Sequence, residues 1–201
     1  MPKVSQSHLN ARRAQILEAA AVCFSRQGFH RATMQDIVKQ SRLSPGAIYN
    51  YYSSKEEIIE AIADERHARE RKLLLEARKE TTVADTLKRL RDAFFGELKN
   101  PQERLRRRVS IQMWAEAQRN PRILRLIRRG FEEPRKVLRD ILAGAQRRGE
   151  ISRKVNADAT ARLLIAAFHG LVMQVEWDRQ IPIGPYLRLL DYLLESISSL
   201  P

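Results

Sequence analysis

The sequence predicts an all-α protein: a three-helix N-terminal domain followed by a larger helical one. Three observations lead there. Apolar residues recur at helical spacing through nearly the whole 201-residue chain. No stretch sustains apolar/polar alternation, and no Asn-Gly or Asp-Gly pair marks a hairpin. The segments are punctuated by Gly28, Asn100-Pro101, Asn120-Pro121, Gly149 and Ile181-Pro-Ile-Gly-Pro185, the residues that end helices.

Residues 1–10 read as a polar arm, and Arg12 and Arg13 could reach a backbone phosphate. The first helix is expected from about Ala11 to Gln27, with Ile16, Ala19, Ala20, Cys23 and Phe24 as its buried stripe. Thr33 can N-cap a second helix, and Asp36 three residues on completes a capping-box pair. Ile37 and Val38 supply the apolar side of that helix, and Leu43 plugs inward after a tight turn. Ser44 then caps a very short third helix with Pro45 at its first position, where the missing N–H costs nothing. Gly46 and Ala47 leave its tip bare. Ile48 and Tyr52 face inward at i, i+4, leaving Tyr49, Asn50 and Tyr51 outward. Ser54-Lys55-Glu56-Glu57 opens a long helix running to about Lys79, some 36 Å at roughly 1.5 Å per residue. Glu60, Asp64 and His67 share a face at metal-ligand spacing, but the arginines around them favour an ion-paired surface, and no metal is expected.

Two short helices and a tight turn, the second helix bare at its tip and flanked by Arg42 and Lys55, suit the major groove of duplex DNA. Basic side chains and backbone N–H groups there hold phosphate oxygens, while polar side chains reach base edges. Residues 12–64 resemble the DNA-binding domain of the tetracycline-repressor (TetR/AcrR) family. The resemblance is carried by Ile16-Leu-Glu-Ala-Ala20, Phe24, Gly28-Phe29, Thr33, Ile37, Ser44-Pro-Gly-Ala-Ile-Tyr-Asn-Tyr-Tyr52 and Ser54-Lys-Glu-Glu-Ile58. Tyr51-Tyr52 stands where the family often has His-Phe. The resemblance implies that Thr33, Ser44, Tyr51 and Lys55 hold phosphates, while Pro45, Gly46, Ala47, Tyr49 and Asn50 sit against bases. It also implies a ligand-responsive repressor that binds its operator as a dimer.

Beyond the long helix, Val83, Leu87, Leu90, Phe94 and Leu98 continue the helical pattern, and a further helix spans about Pro101 to Arg119. Residues 122–148 form one long segment with a kink expected near Gly130 and Pro134. A strongly apolar helix follows to about Gln180, then a last one with Leu187, Leu190, Leu194 and Ile197 as its stripe, widened by Leu189, Leu193 and Leu200. These two have more apolar surface than one chain can cover, so a homodimer joined through them in a four-helix interface is expected. The domain boundary is placed at residue 54, giving 1–54 as the DNA-binding domain and 55–201 as the effector-binding and dimerisation domain. Phe94, Met113, Trp114, Phe168, His169, Met173 and Trp177, with Gln112, Glu116 and Gln174 among them, are the candidate lining of an effector pocket.

The formal net charge is +13, which points to an anionic partner. Residues 1–55 hold eight Lys/Arg against two acidic residues, +6, so the other +7 lies further along, much of it in Arg106-Arg107-Arg108, Arg128-Arg129 and Arg147-Arg148. Diffuse charge of this kind reads first as solvated helix faces, and leaves open long-range attraction to DNA, a non-specific architectural DNA binder, or a preference for an anionic effector. No phosphate-cradling glycine loop, nucleophile elbow or zinc-protease motif is present, so neither an enzyme nor a cofactor is expected. A lone cysteine and the lack of an apolar leader or spanning segment point to a cytoplasmic protein.

Overall fold

The computed structural model describes residues 5–199. In order they form α1 (Gln6–Gln27), α2 (Met34–Ser41), α3 (Pro45–Tyr49), α4 (Lys55–Ala77), α5 (Val83–Gly96), a short 3-10 turn (Glu97–Lys99), α6 (Pro101–Glu116), α7 (Pro121–Arg148), α8 (Ala157–Trp177) and α9 (Ile183–Ser199). Among the described residues there is no strand. The expectations for residues 1–4, Leu200 and the side chain of Ile197 lie outside what the structure describes.

The chain divides into two compact units. One takes the residues up to Arg66 together with Leu105–Ile127, and the other takes His67–Arg104 and the residues from Arg128 onward. The helices α4, α6 and α7 each contribute to both. A division by packing therefore differs from a linear cut at residue 54, because the start of α4 and the end of α6 complete the first unit's core.

In the first unit, Ile16 and Phe24 of α1, Ile37 of α2, Ile48 of α3 and Ile58 of α4 are fully buried together, with Val109, Met113 and Ile123 in the same cluster. Cys23 is buried in it, and burial pushes its thiol above the usual range, helped by the Asp36 charge. The first helix starts earlier than expected. Ser5 caps it, its side chain accepting the His8 N–H at 3.3 Å, so residues 6–10 are helix rather than arm. It ends where expected: Gly28 has φ +84° and returns its N–H to Phe24 at 2.9 Å.

The second unit holds two apolar clusters. One gathers Leu74, Leu87, Leu138, Leu142 and Ala161, and the other Phe95, Leu171, Val172 and Leu190. Gly149 (φ +77°) turns the chain from α7 towards α8, and Gln146 Nε2 clasps the connection by donating to the carbonyls of Ser152 (2.9 Å) and Val155 (2.7 Å). The helix α7 continues through Pro134, which cannot donate to the carbonyl of Gly130 one turn earlier. At that same residue α4 comes close. A Cβ on Gly130 would collide with His67 Nε2, and His67 is buried.

That contact explains why Gly130 is glycine, and it yields a stability test. Gly130→Ala should cost about 1–3 kcal/mol in chemical denaturation through steric conflict. His67→Ala in the same background should restore part of the loss.

Candidate nucleic-acid interface and ligand cavity

The expected capping box on α2 is formed. Asp36 Oδ2 accepts from the Thr33 N–H at 2.9 Å and from Thr33 Oγ1 at 2.7 Å, and Thr33 Oγ1 accepts from the Asp36 N–H at 3.2 Å. These bonds hold the Asp36 carboxyl below its usual range, the Thr33 hydroxyl contributing most. The turn after α2 is made by Arg42, the non-glycine residue with positive φ (58°) among those described. Ser41 Oγ donates to the Val38 carbonyl at 3.0 Å and accepts the Leu43 N–H at 3.3 Å. Gln15, from α1, donates to the Ser41 carbonyl at 2.8 Å. The turn is thus held from both its own ends and from α1.

Ser44 caps α3, accepting the Ala47 N–H at 3.2 Å, with Pro45 in the first turn. Ile48 is the buried anchor of α3, while Ser44, Pro45, Gly46, Tyr49 and Asn50 are exposed and Ala47 is half-exposed. A Cβ on Gly46 would meet nothing within 4 Å, so nothing else in the chain demands a glycine there. Thr33 and Arg42, the residues on either side of α2 in sequence, are exposed as well.

Two residues are placed otherwise than the sequence suggests. Tyr51 packs against the first unit's core beside Tyr52, because α3 stops at Tyr49 and the N–H groups of Tyr51 and Tyr52 both curl back to the Ile48 carbonyl. Lys55 is turned inward. Its ammonium donates to the carbonyls of Phe29 (2.8 Å), His30 (3.1 Å) and Ala32 (3.3 Å), and sits 4.7 Å from the Phe29 ring centroid. All three donors are committed, so the residue expected to hold a phosphate instead fastens the α1–α2 loop to the start of α4. The same loop is held by His30, whose Nε2 lies 2.7 Å from Glu116 on α6. Glu60 is paired with Arg122.

The second unit contains a cavity with about 90 Å³ of free space, several times what one water occupies. Of the seven pocket residues expected from sequence, Phe94, Phe168 and His169 line it. Four do not. Met113 is core in the first unit, and Trp114 lies in the same segment of α6. Met173 is half-buried away from the lining, and Trp177 is 72% exposed on α8. Aromatic and methionine side chains serve equally well as core, so their content does not by itself mark a cavity wall. The lining residues missed were chiefly leucines and Phe95 from α4, α5, α7, α8 and α9, together with Glu70 and Arg91. Nothing in the sequence separates such leucines from ordinary core.

With this geometry in place, the comparisons with known proteins are specific. The family model for bacterial regulatory proteins of the tetR family matches residues 16–62. The model for the C-terminal part of BetI-type transcriptional repressors matches residues 85–198. The chain belongs to the tetR family of regulators. HTH-type transcriptional regulator UidR of Escherichia coli (strain K12) is 29% identical over 175 residues, covering 85% of each chain. Salmonella enterica GusR has a TM-score of 0.78 at 27% identity, covering 98% of this chain and all of that one. A regulator from Saccharomonospora viridis solved in complex with choline shares the fold, with a TM-score of 0.75 at 24% identity over 92% of this chain and 96% of its own. This tetR-family member is a DNA-binding transcriptional regulator, and proteins of this kind are not enzymes. Among the described residues no helix is long and apolar enough to cross a membrane.

Two tests follow from the hydrogen bonds around α2 and α4. Lys55→Met should lower unfolding stability by about 2 kcal/mol. The slope of log K against log salt for DNA should stay unchanged, whereas loss of a phosphate contact would flatten it by about one unit. The Asp36 carboxyl is depressed in the folded state, so the stability it confers is present above its unfolded pKa of about 3.9 and is lost as pH falls below it. An acid titration of wild type against Asp36→Asn should show that loss in wild type and its absence in the variant.

Proposed function

We propose that this regulator is a repressor that binds a palindromic operator as a homodimer and leaves it when a small molecule occupies the cavity of the second unit. The observation that carries the DNA half is α3. It is a rigidly capped rod anchored by Ile48, exposing Pro45, Gly46, Tyr49 and Asn50, with a bare tip that intramolecular packing does not require. Pro45, Gly46, Ala47, Tyr49 and Asn50 meet base edges, while Thr33, Ser44 and Arg42 meet phosphates.

The dimer is supported by the exposed apolar side chains of the last two helices: Leu163 and Trp177 on α8, and Leu189, Tyr192 and Leu193 on α9. A second copy presenting the same pair of helices covers these side chains with two-fold symmetry. The heads then address half-sites one DNA turn apart, about 34–36 Å.

Ligand control is supported by the cavity and by the choline complex of the neighbouring fold. Glu70 and Leu74 of α4 line the cavity, and Lys55 at the other end of α4 holds the loop before α2. A ligand that prefers one conformation of the cavity therefore biases α4, and α4 biases the reading head. The regulator works in the cytoplasm, where its DNA lies.

Selecting bound sequences from a random pool should return an inverted repeat, and the protein should sediment as a dimer. Tyr49→Ala and Asn50→Ala should each relax preference at their own base by about 1–3 kcal/mol while leaving binding to random DNA intact. Leu193→Arg should yield monomers with sharply weakened operator binding. Enrichment of no motif would instead favour an architectural DNA binder.

A further inference from the structure

The chemistry of the cavity narrows its occupant, an inference that rests on the effector reading above. Its described lining includes three residues with polar side chains, and all three are engaged within the chain. Arg91 of α5 is held by Asp191 of α9 and by Asp92, whose Oδ1 takes Arg91 Nε at 2.9 Å and Nη2 at 2.7 Å. The Arg91 side chain is only 15% exposed. His169 meets the Ile165 carbonyl through Nδ1 at 2.9 Å, and since a carbonyl can only accept, Nδ1 donates. Glu70 too has a partner within the chain.

The remaining wall is almost wholly hydrocarbon. Phe168 stands edge-on to both Phe94 and Phe95, each at 5.4 Å between centroids, and leucines from five helices close the rest. A ligand carboxylate would approach Arg91 against two carboxylates, Asp191 and Asp92, that already outnumber its single positive charge. A ligand ammonium would give up its hydration for a wall whose one carboxylate, Glu70, already has a partner. A charge that enters without winning such a partner is desolvated and uncompensated. The +13 of the whole chain does not alter this, because exposed charges are screened within about 8–10 Å at ordinary ionic strength.

We propose that the cavity takes an uncharged, largely hydrocarbon small molecule, and that Asp191 sets this preference by neutralising Arg91 from across the α5–α9 contact. Asp191 is a specificity-determining residue in this scheme, and it acts through Arg91.

Matched probes test it on the full chain bound to its selected operator. Octan-1-ol, octanoate and octyltrimethylammonium, with the corresponding 4-phenylbutyl series, are titrated while binding is read by thermal shift and operator release by fluorescence anisotropy. In at least one series the alcohol should bind about tenfold or more tightly than either charged analogue. Asp191→Asn, nearly isosteric, should narrow or reverse the alcohol-to-carboxylate ratio by about tenfold, with operator affinity in the absence of probe unchanged. A carboxylate or ammonium that outbinds the alcohol on wild type overturns the proposal, as does failure of both alcohols to bind. An unchanged ratio in Asp191→Asn overturns the role of that residue. Alcohol binding that leaves the operator bound supports the cavity chemistry and overturns the effector reading instead.

Discussion

Three carbonyl oxygens in one short loop, those of Phe29, His30 and Ala32, converge on the ammonium of Lys55. Carbonyls in a loop have no ladder to pair with, and a half-buried loop without partners would be costly. One lysine at the first position of α4 meets all three. The loop it holds is the one that delivers Thr33, the cap of α2, and so fixes where the helix-turn-helix begins. The start of α2, and with it the turn that leads to α3, therefore depends on where α4 begins.

A similar economy governs the turn itself. Arg42 in the left-handed region, Ser41 bonded both backward and forward, and Gln15 reaching across from α1 leave the turn little freedom. The stiffness is needed because α3 has five residues and too few internal hydrogen bonds to hold itself. Its shape comes from Ile48 below and from its caps, which frees the outer side of α3 for chemistry with a partner rather than for folding.

Charge is arranged differently in the two units. In the first, exposed basic residues remain beside a capped, polar helix tip. In the second, as with Arg122 and Glu60 in the first, several arginines are tied to carboxylates: Arg91 to Asp191, Arg135 to Asp158 and Glu132, Arg69 to Glu103. A strongly basic chain can therefore enclose a cavity with no net call for an anion. Composition alone, read at the level of the whole chain, points the other way.

The amino-acid sequence by itself determined the helix-turn-helix and its caps and the order of the helices, though not the Ser5 cap that starts α1 at Gln6. Thr33 with Asp36, Ser44 with Pro45, and Gly28 after Gln27 are local devices acting over three or four residues, and they form as their spacing dictates. Tertiary structure alone decided what long-range neighbours do with side chains of ambiguous use. Lys55 became a strut because three carbonyls from 23 to 26 residues earlier arrive within its reach. Met113 became core of the first unit, and leucines and Phe95 became cavity wall. A methionine or leucine at helical spacing carries the same local signal whether it meets a neighbour or empty space, and that difference is settled only when distant helices pack.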